Sequence, residues 1–579
     1  MTAITEKKQL NFAVMCNSLV LQQWQLDVLS LLLKSGKATP VLFILRKQEN
    51  TGRKGLLKRF FAYEWTKILF RKYYQYFFRP AVFRSATIES LASKLPKIYC
   101  KPIVRKKYSE YFSDADIQAI QNYRPDFILK FGFGIVRGSI LQAAHYGIWS
   151  FHHGDEQKYR GIPPAFYEIL FNDHITGSVL QRLTETLDGG IILRKGYFPT
   201  INHSWKANLE QAINLSKNWP VDVCNEIIAQ KSFPGESVSG ISIAPIFREP
   251  TNFTFLTFLT KQLINKLTFH FTELIFAEKW QTGLVKARPA DLVSEYSYIV
   301  DEEDAEWLGA LGNDRYFADG FALMAEGRLH LMFEDYDYRK RKAIISSSWY
   351  VERESAFSAP VPVLEEPWHL SYPFLFKADG QTWCMPESLS HGAIELYRLD
   401  QVAGKLLHHK TLINGVAAAD PTLVFHQNHW YLFFTPAHAT NVELHIWHAD
   451  TLDGPFEPHE LNPVKADISN SRPAGSFFNL DGKLYRPAQD CSQTYGGLVV
   501  INEVKLLTEK EFLEMPVTSL KPPVGYTGLH TISFAGDYLY FDCKKPVFSL
   551  ASSIWQLKRR LLMIKPDKTI ELPTDPGKR

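Results

Sequence analysis

Three side chains near the middle of the N-terminal half are suited to transfer chemistry: Ser150, His152 and, 36 residues after the histidine, Asp188. An imidazole can carry a proton or donate a hydrogen bond, a carboxylate can orient it, and a serine hydroxyl can donate one hydrogen bond. A histidine by itself is more often structural. The motifs Tyr159-Arg160-Gly161 and Leu187-Asp188-Gly189-Gly190 lie in the same stretch of the chain.

These ordered motifs resemble the folate-dependent formyltransferase family, whose pattern is Asn-x-His, then Tyr-Arg-Gly, then Leu-Asp-x-Gly. The resemblance covers roughly residues 10–230. It implies a catalytic His152 and Asp188, with N10-formyltetrahydrofolate as the formyl donor. Ser150 stands where the family has asparagine, and losing one oxyanion donor typically costs about 10²–10³ in rate. The neighbouring His153 or a water molecule could replace the missing amide.

The same resemblance assigns the binding residues. The backbone of Phe131, Gly132, Phe133 and Gly134 would hold the pterin, and the acceptor would lie near four residues of the loop that follows His152, namely His153, Tyr159, Arg160 and Gly161. The family's loop is apolar, whereas this chain has His153-Gly154-Asp155-Glu156-Gln157. An inactive domain that keeps only the fold is the alternative.

Alternating strand and helix patterns must position these residues. Apolar runs at Leu10–Met15, Pro40–Leu45 and Asp126–Phe131, with a helical pattern at Leu26–Leu33, predict a mostly parallel sheet. Residues 204–230 read as helix, with Ser204 as N-cap and Pro220 as an interruption. We therefore expect an α/β Rossmann-like formyltransferase domain over 1–235, followed by a linker and helix over 236–289.

Five similar β-rich segments follow at intervals near 50 residues. Each is an apolar strand, a tight turn and an aromatic strand, at Phe317–Asp335, Ser371–Glu387, Ala419–Pro436, Ser471–Gln489 and Gly528–Asp542. That repeat predicts an all-β five-bladed propeller over 290–570. A large β-sandwich is the alternative. The segments are similar to propellers of the arabinanase and levansucrase type, and to the N-terminal region of glucosamine inositolphosphorylceramide transferases.

Polar residues near the strand ends of these repeats would line a central funnel. Propeller glycosidases use paired carboxylates there. The second repeat instead has Tyr372-Pro373-Phe374, which weakens a hydrolase assignment and favours glycan binding. The candidate funnel residues are Asp319, Glu334, Glu387, Asp420, Arg472, Asp490 and His530.

A basic aromatic insert spans residues 46–84, with eleven Lys or Arg against Glu49 and Glu64. Gly52–Pro80 mixes cations with aromatics at helical spacing, which suits a membrane surface or a lipid-linked substrate. A nucleic-acid partner is less favoured, and a helix packed on the propeller with a solvated basic face is the remaining explanation. Thr254–Phe276 is also aromatic but carries little charge, which predicts packing between domains.

Six scattered cysteines form no CxxC or Cys/His cluster, so we expect no metal site and a reducing, cytoplasmic setting. We expect no signal peptide and no membrane span. The function predicted from these features is formylation of a nucleotide- or lipid-linked amino sugar in polysaccharide or glycolipid synthesis. The alternative is an idle formyltransferase fold that serves a propeller glycosidase, a glycosyltransferase or a glycan-binding scaffold.

Overall fold

The computed structural model describes residues 9–47, 64–105, 108–186, 189–230, 243–294, 297–309 and 314–548. The N-terminal part alternates strands with helices as predicted. Its strands are β1 (Leu10–Cys16), β2 (Val20–Gln22), β3 (Ala38–Arg46), β4 (Ser85–Thr87), β5 (Lys97–Cys100), β6 (Ile103–Arg105), β7 (Ser109–Tyr111), β8 (Phe127–Lys130), β9 (Ile135–Arg137), β10 (Ile148–His152), β11 (Arg160–Gly161), β12 (Ile175–Arg182) and β13 (Ile191–Pro199). Its helices are α1 (Gln23–Ser35), α2 (Ile68–Tyr76), α3 (Glu89–Ala92), α4 (Asp114–Gln121), α5 (Tyr167–Phe171), α6 (Trp205–Ser216) and α7 (Trp219–Gln230).

Seven of these strands form one sheet in the order β13-β12-β10-β8-β1-β3-β5. The strands from β10 to β5 pair in parallel, and β12 and β13 complete the edge in antiparallel pairing. Apolar side chains on both faces are fully buried, such as Phe12 and Phe127 on one face and Ile128 and Ile148 on the other. This confirms the predicted α/β domain, because a parallel sheet needs helices on both faces.

The predicted helix signals at the end of this domain are confirmed. The hydroxyl of Ser204 accepts a hydrogen bond from the Ala207 amide at 3.3 Å and caps α6. That helix ends at Ser216, and α7 begins at Trp219 with Pro220 in its first turn, where proline is tolerated.

The described residues of the C-terminal part form five sheets of four or five strands, each of which supplies a four-stranded blade. After β14 (Ile246–Phe247), α8 (Asn252–Ile275) and α9 (Pro289–Val293) it holds β15 (Phe276–Lys286), β16 (Ser297–Ile299), β17 (Glu306–Leu308), β18 (Arg315–Ala325), β19 (Arg328–Asp337), β20 (Lys342–Val351), β21 (Ala356–Phe357), β22 (Val361–Leu364), β23 (Ser371–Ala378), β24 (Gln381–Glu387), β25 (Ala393–Asp400), β26 (Lys405–Asn414), β27 (Ala418–His426), β28 (His429–Pro436), β29 (Glu443–Ala449), β30 (Glu457–Pro458), β31 (Lys465–Ala466), β32 (Phe478–Leu480), β33 (Lys483–Asp490), β34 (Leu498–Leu507), β35 (Phe512–Lys521), β36 (Ile532–Ala535) and β37 (Tyr538–Phe548). The blades are β18–β21, β23–β26, β27–β30, β32–β35 and β36-β37-β15-β17, so the five-bladed propeller is confirmed and the sandwich alternative is wrong.

The fifth blade joins the two ends of the propeller. Its strand β15 pairs with β37 over the whole length from Phe276 to Lys286. The segment 236–289, predicted as linker and helix, therefore ends in a propeller strand, and the first blade-forming residue lies before 290. Closure by strands from both ends leaves no open edge between the first and last blades.

The two domains share a core. The Ile468 amide donates to the Tyr197 carbonyl at 3.0 Å, and Tyr197 forms a β-bridge with Asp467. Val442 and Ile468 of the propeller pack in the same buried cluster as Phe198 and Trp219 of the α/β domain. The last strand of the sheet is therefore held directly against the third and fourth blades.

Gly475 marks a close backbone approach between the fourth and fifth blades. It is buried at φ +120° in a bridge with Ile532, and an added Cβ would clash with the Ile532 carbonyl. We expect Gly475→Ala to lower the free energy of unfolding by about 3 kcal/mol or more, from overlap added to backbone strain. Gly482→Ala, at φ +75° with open space around it, isolates the strain and should cost only about 1 kcal/mol. Urea unfolding measures both, and equal losses would refute the close approach.

Candidate functional site

Ser150 lies in a row of three polar side chains on adjacent strands. In the register of the sheet it pairs with Lys130 of β8 and with Gln181 of β12. Side chains of directly paired residues project from the same face, with Cβ atoms about 5 Å apart. The structure therefore places an ammonium group and a carboxamide on either side of the serine that replaces the family's asparagine.

His152 lies two residues further along β10 and on the same face as Ser150. Its Nε2 atom is 3.0 Å from the carbonyl oxygen of Tyr159. Because a carbonyl only accepts, Nε2 carries the hydrogen, which leaves Nδ1 of the neutral ring as the proton acceptor. The side chain is half-buried, so the ring is held in place and remains partly exposed to solvent.

Asp188 lies outside the described residues, and its pairing with His152 stays a prediction. Leu187 lies outside them too, and the described residues resume at Gly189. The Thr184 hydroxyl donates to the Gly189 carbonyl at 2.9 Å, and Gly190 lies against the carboxamide of Gln181, leaving no room for a Cβ. Gly190 therefore lies at the row of Ser150 and Gln181.

Gln181 is the residue that the sequence analysis missed. Its side chain is 6% exposed, and its Oε1 has no hydrogen-bond partner among the described residues. A buried carboxamide with unused capacity is costly unless something binds it. Nothing in the local sequence marks Gln181, because only the register of β10 and β12 brings it to Ser150.

Lys130 is largely enclosed on the same row. Burial, followed by the nearby Arg46 guanidinium, lowers its pKa to about 8 although Glu110 opposes the shift. Arg46 and Glu110 form an ion pair at 2.8 Å close by. A lysine whose ammonium form is disfavoured by burial therefore lies beside Ser150.

The four predicted acceptor-binding residues converge on one small cleft. His153, Tyr159, Arg160 and Gly161 line a cavity of about 10 Å³, room for about one water molecule, together with Glu168. Burial raises the pKa of Glu168 to about 8, and its Oε1 lacks a partner among the described residues. The Tyr159 hydroxyl donates to Asp173 at 3.1 Å, which fixes the ring at the rim.

His153 belongs to this cleft and not to the row of Ser150. Its Nδ1 lies 2.8 Å from the Ser178 hydroxyl, and its ring packs against Trp24 and Phe151. Burial and then His152 lower its pKa to about 3, so it is neutral. Since Phe151 projects from the opposite face to Ser150, His153 does not replace the missing amide, contrary to our expectation.

The acidic loop residues have a structural role. Asp155 and Glu156 bind the Lys195 ammonium at 2.8 and 2.9 Å, and Gly177 packs against Asp155. This buried triad ties the loop after His152 to β13. The acidic residues in this loop are therefore paired with Lys195 within the fold. They do not contribute to the face of the sheet that carries Ser150 and His152.

The backbone amides of Gly132, Phe133 and Gly134 donate hydrogen bonds within the fold. Gly132 donates to the Met15 carbonyl, Phe133 to the Asn17 side chain at 2.9 Å and Gly134 to Glu110 at 2.8 Å. The binding of the pterin by the backbone of Phe131–Gly134 stays a prediction. An open groove of about 830 Å³ lies further along, lined by residues within 138–147 and 182–185.

The propeller axis is built from residues with unusual backbone angles. Asp319, Tyr372 and Asp420 have φ of 52°, 42° and 50° at equivalent bulges of the first three blades. Each of their amides donates to a carboxylate of the preceding blade: Asp542 at 2.8 Å, Asp319 at 3.2 Å and Glu387 at 3.0 Å, respectively. Axis acids therefore link neighbouring blades.

Arg472 and Asp420 form the main charge pair of the axis. The guanidinium binds Asp420 through two hydrogen bonds of 2.6 and 3.0 Å, and Gln489 donates to the same carboxylate at 2.7 Å. Burial and then Asp420 raise the pKa of Glu387 to about 8. A carboxyl group with a raised pKa thus lies beside the Arg472-bound Asp420.

His530 links two further acids. Its Nδ1 is 2.7 Å from Asp542 and its Nε2 is 3.3 Å from Asp319, and Trp280 stacks on the ring at 3.9 Å. Asp319, His530 and Asp542 are the group with metal-ligand spacing among the described residues. Both ring nitrogens already have carboxylate partners, so hydrogen bonding accounts for the cluster.

The two remaining funnel candidates differ. Glu334 joins the axis, where burial and then Asp319 raise its pKa well above the usual range. Asp490 instead accepts from the Ser492 amide at 2.8 Å and lies near Asp467, at the junction with the α/β domain. Gln489, one residue earlier, takes the position at the axis, because alternate residues of a strand face opposite sides.

Comparison with known proteins finds relatives for both domains. Residues 309–523 match the family model "Glucosamine inositolphosphorylceramide transferase 1, N-terminal". The glucosamine inositolphosphorylceramide transferase 1 of Oryza sativa subsp. japonica is 35% identical over 214 residues, which cover 35% of this chain and 28% of that protein. The methionyl-tRNA formyltransferase of Prochlorococcus marinus is 31% identical over 170 residues, covering 29% of this chain and 45% of that protein.

Among solved structures, an alpha-L-arabinofuranosidase of Podospora anserina aligns with 43% of this chain and 96% of its own, at 9% identity and a TM-score of 0.34. The chain spans less than half of the length of either curated relative. It joins a formyltransferase-like α/β domain to a five-bladed propeller related in sequence to the N-terminal region of glucosamine inositolphosphorylceramide transferases.

Lys130 provides a test of the described row. Below pH 8 the folded state must bury the charged ammonium, which lowers the free energy of unfolding. Between about pH 8 and 10 the folded state loses this proton while the unfolded state keeps it, so stability should rise with pH. We expect Lys130→Met to stabilise the protein at neutral pH by roughly 1–3 kcal/mol and to remove that rise. Thermal and urea unfolding across this range measure the effect. Lys34→Met, on an exposed side chain of α1, should change neither, and a destabilised Lys130→Met would contradict the assignment.

Proposed function

We propose that the α/β domain transfers a formyl group from N10-formyltetrahydrofolate to the amine of an amino sugar. The observation that carries this proposal is the carboxamide of Gln181 beside Ser150, on the face that also presents His152. The family's asparagine amide would then be supplied from the neighbouring strand. The domain would then keep a carboxamide donor for the oxyanion, placed on β12 instead of β10.

The chain's own groups account for the catalytic requirements. Gln181 and Ser150 would donate hydrogen bonds to the developing oxyanion, with the Lys130 ammonium adding positive charge beside them. His152, oriented by the Tyr159 carbonyl, would handle the proton of the attacking amine at Nδ1. Asp188 would assist that proton transfer from the segment anchored at Thr184 and Gly190.

The groove lined by residues 138–147 and 182–185 fits the donor in size and position. Its volume of about 830 Å³ lies within the range of typical ligand pockets, roughly 300–1,000 Å³, and its lining extends to Glu185. The Gly138 amide donates to Glu185 at 2.8 Å and joins its two walls. When bound, N10-formyltetrahydrofolate supplies the formyl carbon.

An amino sugar is the acceptor that best suits the fusion. The relatives of the propeller are named for glucosamine transfer, which supports a sugar substrate carrying an amine. The axis acids mostly accept backbone hydrogen bonds, and this favours a propeller that binds the glycan. We accordingly propose a role in polysaccharide or glycolipid synthesis, with a nucleotide- or lipid-linked sugar as acceptor.

A cycle of variants tests the role of Gln181. The protein is incubated with N10-formyltetrahydrofolate and a panel of nucleotide-linked amino sugars, and the formyl product is quantified. We expect Gln181→Leu to lower kcat by about 10²–10³, because one oxyanion donor is lost. Ser150→Asn restores the family's amide, so Ser150→Asn/Gln181→Leu should recover kcat to within about tenfold of the wild type.

The matched control is Gln118→Leu, on an exposed side chain of α4, which should retain full activity. Undiminished kcat in Gln181→Leu would exclude the carboxamide from the reaction while leaving formyl transfer intact. Absence of any formyl product from the wild type, with no folate binding by calorimetry, would instead exclude formyl transfer itself.

A second candidate is glycan cleavage or transfer at the propeller axis. It is favoured by Glu387, whose pKa is raised to about 8, beside the Arg472-bound Asp420, because acid–base catalysis uses two carboxyl groups in different environments. In that case Glu387→Gln should abolish sugar release or transfer, whereas His152→Ala should not affect it. Glu387→Gln keeps an acceptor for the Asp420 amide, so Tm should change little. Loss of turnover in His152→Ala alone would rule this candidate out.

A further inference from the structure

Helix α8 buries little of its surface. Of its 24 residues only Phe255 and Phe258 are fully buried. Phe255 packs edge-to-face against Phe70 with ring centres 5.7 Å apart, and Phe258 stacks on Phe166 at 4.0 Å. Lys261 donates to the Leu170 carbonyl at 2.7 Å. The helix therefore packs along one side on α2 and α5. The expected burial between domains is limited to that side.

The opposite side of α8 is an exposed apolar face. It holds six large side chains, which are 51–81% exposed, and three threonines between them; no acidic or basic residue interrupts it. Their spacing of three and four residues places them on one stripe of the helix, roughly 30 Å long. The stripe consists of Phe253, Leu256, Thr257, Thr260, Leu263, Ile264, Leu267, Thr268 and Phe271.

The face continues onto the segment before α2. The Asn252 side chain donates to the Trp65 carbonyl at 2.8 Å and accepts from the Leu69 amide at 3.0 Å. Trp65 is 59% exposed and Leu69 44% exposed, next to Phe253 at the start of the stripe. We call this combined surface, Trp65, Leu69 and the stripe of α8, the apolar ledge.

Basic residues lie beside the apolar ledge. Residues 64–84 carry five cations, Lys67, Arg71, Lys72, Arg79 and Arg84, against the acid Glu64. Lys67 pairs with Glu64, and Arg71 pairs with Glu64 and Glu249, so the positive charge of the border comes mainly from the other three. Tyr76 and Phe77, at the end of α2, are 54% and 74% exposed. An uncharged apolar stripe bordered by cations and large aromatics is the pattern of a helix that lies in the headgroup region of a bilayer.

The structure favours a bilayer surface over a second copy of the chain as the partner of the apolar ledge. Among the described residues, no helix is long and apolar enough to cross a membrane, and α8 is tied to the α/β domain along its other side. A second copy on the ledge would bring two cationic borders together. A bilayer containing anionic lipid offers apolar depth to the stripe and opposite charge to its border.

We propose that the apolar ledge docks this protein on the surface of an anionic lipid bilayer, with α8 parallel to the membrane plane. The two domains are joined through α8, since it follows the α/β domain and runs directly into β15 of the closing blade. Docking therefore holds both domains at the bilayer surface. This inference is independent of formyl transfer.

Vesicle sedimentation of the full chain tests the inference. The probes are vesicles of phosphatidylcholine alone and of phosphatidylcholine mixed with phosphatidylglycerol. We expect strong binding to the mixed vesicles and a partition coefficient at least about tenfold lower for Leu263→Glu/Leu267→Glu. Phe253→Ser/Phe271→Ser, which adds no charge, should also weaken binding. Lys72→Glu/Arg79→Glu should remove the preference for phosphatidylglycerol.

The matched control is Leu407→Glu/Phe425→Glu, which changes two propeller side chains that are 45% and 54% exposed and should leave binding intact. An unchanged Tm in each variant confirms folding. Wild-type protein that stays in the supernatant would overturn the proposal. So would a wild-type dimer that the ledge variants dissociate without any effect on sedimentation, because a second copy would then cover the face.

Discussion

The propeller depends on carboxylates that accept the backbone amides of the next blade. Asp319, Tyr372 and Asp420 turn sharply at the axis with positive φ, a conformation that L-residues rarely adopt. The hydrogen bonds from their amides to Asp542, Asp319 and Glu387 satisfy buried donors and join successive sheets. The same acids that suggest glycosidase chemistry in the sequence are thus needed first to hold the blades together.

In the α/β domain the corresponding constraint is strand register. Lys130, Ser150 and Gln181 meet because of the register in which β8, β10 and β12 pair. A slip of β10 by one residue would turn Ser150 to the face opposite to Lys130 and Gln181. The triad of Asp155, Glu156 and Lys195 helps to hold that arrangement from the far side of the loop. An unusual loop and a missing asparagine are therefore compatible with one intact face.

The shared core between the domains gives the chain a fixed layout. Tyr197 bonds to Ile468, α8 leads into the closing blade, and the apolar ledge lies on that connecting helix. A transfer site, a glycan funnel and a lipid-facing surface would then belong to one body. Such a layout suits a sugar that is presented at a membrane surface.

The sequence by itself determined the elements: the α/β alternation, the Ser204 cap, the break at Pro220 and five repeated hairpins each leave a local pattern. It also located His152 and the loop that contains Tyr159-Arg160-Gly161 through ordered motifs. Tertiary structure alone decided which side chains meet, namely Gln181 and Lys130 beside Ser150, Gln489 in place of Asp490, and β15 in the last blade. The reason is physical: periodicity records the faces of one element, whereas register between distant strands depends on packing that no single segment encodes.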